Sequence, residues 1–264
     1  MQTTLPNYVL IGSGRLASHL RYYLSLYEND IRLRHWARNP DSGFNSISCK
    51  EVPDHQERLE QILEDANVVL LAIGDSALEE WINKPELKDK KIVHFSGARY
   101  FKNAWGFHPL MTFSTHLYEV DFYRKIPFVA DPGFPHHEIF SFLPNPFYTI
   151  EPEKKPLYHA LCHMAANFPA LLWVHVFRQF DSELEMPHAI LKPMLEKILS
   201  NTFEYGPQAL AGPLRRGDLK TIELHDHALE SHPALQSIYD TWTEWALSFG
   251  KPGQSVLPNK EITQ

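Results

Sequence analysis

In YHALCHMAANF, Tyr158–Phe168, the polar residues His159, His163 and Asn167 stand at i, i+4 and i+8 among Leu, Met, Ala and Phe. A helix there carries all three on one face. Imidazole titrates near neutrality, so a positioned imidazolium can protonate the oxygen of a carbonyl undergoing reduction. The plain alternative is a pair of hydrogen-bonded core histidines. Histidine is abundant, 15 of 264 residues, and His159-x-x-x-His163 has metal-ligand spacing. The metal reading fails in detail, because the zinc-helix pattern needs Glu directly after the first His, and position 160 is Ala. His136–His137 and His225-x-His227 with His232 fall in polar stretches, and no metal is expected.

A second pattern lies near the N-terminus, where NYVLIGSGRLASHL places Gly12, Gly14 and Ala17 as G-x-G-x-x-A after an apolar run and before a helical one. The first glycine allows a tight strand-to-helix turn, the second lets a pyrophosphate approach the backbone, and the small third residue lets helix and strand pack. Gly12, Ser13, Gly14, Arg15, Leu16 and Ala17 are therefore expected around a dinucleotide, its phosphates facing a helix N-terminus. An NAD site usually has Asp or Glu after the second strand, but here the sequence runs HWARNP. Arg38 can instead make a bidentate contact to a 2′-phosphate, with Asn39 beside it, so NADP is the expected cofactor.

Other candidates sit where predicted strands end, since ligands in open α/β sheets bind beyond the carboxyl ends of strands. Ile73 and Gly74 are expected to touch cofactor through backbone. Ser96, after His94, and Gly97 can donate hydrogen bonds to substrate or cofactor, and Pro109 would stiffen the loop presenting His108 and Thr112. Arg215 and Arg216, in GPLRRGD, form the best anion clamp of the second half.

The elements that must position these groups alternate. Strands are expected at Tyr8–Ile11, Ile31–Trp36, Val68–Ala72, Lys91–Phe95, Trp105–Phe107, Ile126–Ala130 and Phe147–Ile150. Helices are expected at Arg15–Tyr27, Gln56–Glu64 and Ser76–Ile82, the last behind a Gly74-Asp75-Ser76 turn supplying capping side chains. From Pro156 helical spacing takes over: Pro156–Phe180, Pro187–Tyr205, Asp218–Glu230 and Pro233–Leu247. The reading is α/β, a parallel-sheet nucleotide domain at 1–152 followed by an all-α domain at 153–264, with the proline-bearing linker Glu151–Pro156 between them.

With 25 Lys+Arg against 32 Asp+Glu, a net charge of −7 and 44 % hydrophobic residues, the chain is an ordinary globular one without the basic face a nucleic-acid binder needs. No stretch reads as the ~20 apolar residues of a membrane span, and no leader pattern opens the chain, so a cytoplasmic protein without membrane contact is expected. Cys49 and Cys162 make neither a CxxC nor a disulfide framework.

Taken together, the Gly-rich half, VHFSGA at Val93–Ala98, GFHPLMTF at Gly106–Phe113, EVDFYRKIPFVAD at Glu119–Asp131, YHALCHMAANF and GPLRRGD at Gly212–Asp218 resemble a family of NADP oxidoreductases. Its members join a Rossmann-like domain to a helical domain similar to the C-terminal part of 6-phosphogluconate dehydrogenase. The resemblance extends more distantly to pyrroline-5-carboxylate reductase, ketopantoate reductase and the β-hydroxyacid dehydrogenases. It implies reduction of a small keto or imino acid, ketopantoate-like among the candidates, by a homodimer joined through the helical domain. The wider superfamily often carries Lys-x-x-x-Asn on the first long helix, where this chain reads His163-x-x-x-Asn167. A non-catalytic NADP sensor or scaffold is the alternative, and a deazaflavin-type hydride carrier a weaker one.

Overall fold

The computed structural model describes residues 5–38 and 59–248. Asn39 and the expected start of a helix at Gln56 lie outside the described residues.

Seven strands form one sheet in the order β2-β1-β3-β4-β5-β6-β7. They are β1 (Asn7–Ile11), β2 (Arg32–Trp36), β3 (Val68–Leu71), β4 (Lys91–His94), β5 (Trp105–Pro109), β6 (Phe128–Ala130) and β7 (Phe147–Thr149). The first five run parallel, β6 turns antiparallel to β5, and β7 runs parallel to β6. The fold is thus the expected α/β class, and its one antiparallel pair sits away from the glycine turn.

Alternation along β1 divides the core. Tyr8 and Leu10 point to one face and pack with Leu20 and Leu24 of α1 (Arg15–Ser25), while Val9 and Ile11 point to the other. That second face meets Ile62 and Leu63 of α2 (Leu59–Glu64) and Leu78 and Ile82 of α3 (Asp75–Ile82). Short helices α4 (Val120–Tyr123) and α5 (His136–Ile139) bridge the later strands.

Three expectations are corrected. The turn before α3 supplies no capping side chain: Gly74 is the N-cap, without a side-chain hydrogen bond, and the Asp75 carboxylate is engaged elsewhere. The helix expected over Pro156–Phe180 is divided into α6 (Lys155–Cys162), a π-helical turn at His163–Asn167 and α7 (Phe168–Ser182). Finally, the continuous helical stretch Pro152–Ser182, 31 residues, is by length and composition apolar enough to cross a membrane. Within it His159, His163, Asn167 and His175 interrupt the apolar residues.

The chain divides into two compact units, 1–172 and 173–264, the boundary falling inside α7. The second unit contains α8 (Lys192–Tyr205), α9 (Pro213–Arg216), α10 (Leu219–Leu229) and α11 (Pro233–Ser248). Asp218 caps α10, its carboxylate accepting from the Thr221 N–H and hydroxyl. No described residue of 173–248 is buried.

Candidate functional site

The parallel strands β1, β3, β4 and β5 end on one edge of the sheet, and that edge carries most of the chemistry-bearing residues. The glycine turn follows β1 where the strand order reverses, the point at which open α/β sheets bind ligands. Gly12 has φ +143°, and a Cβ there would stand 2.1 Å from the carbonyl oxygen of Ala72, so only glycine fits. The Gly12 N–H donates to Trp36 O at 3.0 Å, and its carbonyl accepts from His35 Nε2 at 2.7 Å. Burial holds His35 at a pKa of about 4, against the pull of that hydrogen bond, so its ring is a neutral brace.

Gly14 differs in kind. Among the described residues a Cβ there would meet nothing within 4 Å, so none of them demands glycine at this position. It is the N-cap of α1, which has no side-chain cap and no acidic residue in its first turn. The first-turn N–H groups therefore face an open cradle, an arrangement that suits a phosphate. Ser13 and Leu16 are half-buried, Arg15 is exposed and Ala17 is buried under the turn. Arg15 Nη1 reaches Phe113 O at 3.5 Å, and the buried His19 ties the same loop to α1 through Ser114 O at 3.0 Å and the Tyr123 hydroxyl at 2.6 Å. Arg38 is exposed just after β2, Ile73 is half-buried and Gly74 exposed at the start of α3. These residues fit a dinucleotide.

Beyond β4, Ser96 is consumed locally. Its hydroxyl donates to Asp75 Oδ2 at 2.7 Å and accepts the N–H groups of Ala98 and Arg99 at 3.3 and 3.1 Å. Gly97 is hemmed in: a Cβ would lie 2.7 Å from His159 Cδ2 and 3.1 Å from both Cδ2 and Nε2 of His108. His94 is fully buried, its Nδ1 accepting the Ser96 N–H at 3.3 Å and its Nε2 without a hydrogen-bond partner. Burial, aided by the charge of Lys155, holds its pKa near 3.

From β5, His108 Nδ1 meets the Tyr158 hydroxyl of α6 at 2.8 Å, and its ring stands edge-on to that of His159, centroids 5.7 Å apart. Burial, then the charges of His159 and Lys155, bring the His108 pKa to about 4. His159 in turn stands edge-on to His163 at 4.9 Å, and the Asn167 amide lies 2.9 Å from His163 Nδ1. Burial and His163 lower the His159 pKa, while Asp75 opposes them. The helix therefore brings His159 to the strand ends, and the π turn carries the exposed pair His163 and Asn167. Thr112 is exposed in the loop after β5, and Arg215 and Arg216 are exposed on α9 in the second unit.

Three participants went unnoticed in the sequence. Tyr158 sits beside His159, but its partner His108 is 50 residues away in sequence. Lys155 and Asp131 form a buried ion pair, 2.5 Å apart and 2 % and 1 % exposed, with Asp131 Oδ2 also accepting the Gly106 N–H at 2.6 Å. This pair fastens the start of α6 to β5 and β6. Among the described residues no group of three His, Cys, Asp or Glu side chains could hold a metal.

A family model described as a domain of unknown function (DUF2520) matches residues 136–245. No curated protein matches the chain in sequence. Among solved structures, a Bacteroides fragilis protein described as a "putative NADP oxidoreductase" is 21 % identical, with a TM-score of 0.69 over 92 % of this chain and 98 % of its own. An imine reductase from Aspergillus terreus, solved with NADPH4 and dibenz[c,e]azepine, is 13 % identical, with a TM-score of 0.60 over 95 % and 96 %. Prephenate dehydrogenase from Aquifex aeolicus, solved with NAD+ and hydroxyphenyl propionate, is 13 % identical, with a TM-score of 0.50 over 94 % and 98 %. At these identities the likeness is one of fold.

Proposed function

We propose that the chain is an NADP(H)-dependent reductase of a small keto or imino carboxylic acid. One observation carries the reading: Gly12 is forced by the backbone, whereas Gly14 opens onto empty space at an uncapped helix N-terminus, on the same sheet edge as a cluster of histidines. The cofactor, when bound, supplies a hydride. The chain's share is to bind and orient. The loop Gly12–Ala17 takes the phosphates, Arg38 with Asn39 takes a 2′-phosphate, and Ile73 and Gly74 line the way along the strand ends. His108, His159, His163 and Asn167 supply the polar groups that face the acceptor and hold or move its proton, and Gly97 and Thr112 flank it. Ser96 acts through its turn. A ketopantoate-like acid suits this set, as do cyclic imino acids.

The exposed apolar side chains of the second unit, among them Leu199, Phe203, Trp242 and Trp245, support a homodimer through the helical domain. Light scattering without detergent should give twice the chain mass, and a monomer, or material that stays dispersed only with detergent, refutes the dimer. The reductase reading is tested by following NADPH absorbance against a panel of 2-keto acids and cyclic imines. Turnover with at least one acid is expected. Tight NADPH binding without turnover on any of them would instead favour a nucleotide sensor.

A further inference from the structure

The His108 ring, on β5, meets both α6 and the Gly97 turn, and its two nitrogens have different surroundings. Nδ1 faces the Tyr158 hydroxyl at 2.8 Å, while Nε2 is turned toward Gly97. A neutral imidazole has one N–H and one lone pair, and which nitrogen holds the proton follows from the partner of the other. Tyr158 is half-buried and shares a hydrogen bond with the Cys162 side chain; burial, then Cys162, pushes its pKa well above that of a free phenol. Of the two acceptors beside its O–H, the imidazole Nδ1 at 2.8 Å is stronger than a thiol sulfur, and donation to Nδ1 leaves the proton of the neutral ring on Nε2.

The surroundings keep the ring uncharged. His159 stands edge-on to it, Lys155 is buried one turn from Tyr158 on α6, and Asp131 is occupied by Lys155 and the Gly106 N–H. Asp75, on α3, is bound to Ser96 and its charge bears on His159. Among the described residues no carboxylate is hydrogen-bonded to His108 to stabilise an imidazolium. Glycine at 97 lets the turn pack directly beside Nε2, where a methyl group would stand 3.1 Å from that nitrogen.

We propose that His108 is a neutral hydrogen-bond donor whose Nε2–H binds the carbonyl oxygen or imine nitrogen of the acceptor above Gly97, and that Tyr158 is the positioning residue that fixes this tautomer. The inference rests on the reductase reading and adds to it an electrophilic contact that does not depend on a titrating acid. Polarisation of the C=O or C=N bond by a fixed donor favours the transition state, where charge on the heteroatom grows.

Long-range 1H–15N spectra of the histidine rings test it directly, with His108→Gln assigning the resonance. The wild-type ring should appear as the Nε2–H tautomer and hold its shifts between about pH 5.5 and 8.5. Tyr158→Phe should mix the tautomers and lower kcat/KM roughly 10-fold, the loss of one hydrogen bond, with NADPH affinity unchanged. With NADP+ bound, pyruvate or 2-methyl-1-pyrroline should shift Nε2, and Gly97→Ala should abolish that shift. An Nδ1–H tautomer in the wild type, or an Nε2 resonance that neither probe moves while NADPH still binds saturably, overturns the inference alone. Failure to bind NADPH at all overturns the reductase reading and the acceptor role with it.

Discussion

Replacing Lys155 by Met removes the cation from a pair that is 2 % and 1 % exposed and leaves the Asp131 carboxylate buried with the Gly106 N–H as its remaining partner. Breaking a buried pair from one side costs about 3–5 kcal/mol, because the surviving charge is neither solvated nor compensated. Methionine fills nearly the same volume, so little of the loss comes from packing. For a chain of this size a kcal/mol is worth roughly 2–4 °C in Tm, and Lys155→Met should melt about 10 °C below wild type. The pair variant Lys155→Met with Asp131→Asn removes both charges while the amide oxygen still accepts from Gly106. It should recover more than half of the loss. Urea unfolding followed by circular dichroism gives both values on equal terms. A loss under about 1 kcal/mol for the single variant, or no recovery in the pair, would show that desolvated charge is not what ties α6 to the sheet.

The neutral histidines, His35 and His94 buried and His108 partly buried, make the protein sensitive to acid: with His35 and His108 near pKa 4 and His94 near 3, the unfolded chain binds protons first. Stability present above the unfolded value near 6.5 is thus lost as pH falls from there toward 4, by about 2 kcal/mol for each ring at pH 5. A flat Tm between about pH 7 and 5 would contradict those burials. Arg38→Ala should narrow the preference for NADPH over NADH by about 1.5–3 kcal/mol, and equal affinities for the two nucleotides in the unmutated protein would remove the basis for NADP. Asn167→Ala should lower kcat/KM with NADPH affinity nearly unchanged, and whichever of His159 and His163 moves the proton should lose about 10²–10⁴ in rate when replaced by Ala. Unchanged chemistry in all three variants moves the proton step off this helix.

Most strands were readable because each is a short apolar run bounded by turn residues; β2, RLRHW, alternates polar and apolar residues instead, and β7, exposed along Phe147–Thr149, keeps its aromatic and β-branched character. The glycine turn was readable because its demand is local, set by Gly12 against Ala72. What escaped was non-local or indifferent to composition. Lys155 and Asp131 are 24 residues apart and each reads as a surface charge, and His108 and Tyr158 are 50 apart. The π turn at His163–Asn167 adds a residue to one helical turn without altering the apolar pattern that marks a helix.

The central claim is that the turn after β1 holds a phosphorylated dinucleotide. Calorimetric titration of the wild-type chain and of Gly14→Val with NADPH tests it most directly, since a Cβ at 14 meets no described residue beyond its chain neighbours within 4 Å, and the added side chain obstructs what enters the open cradle. The account predicts saturable binding at one site per chain, lost at least 10-fold in Gly14→Val with Tm held within a few degrees of wild type. Equal binding by the two proteins, or none by the wild type, would contradict it.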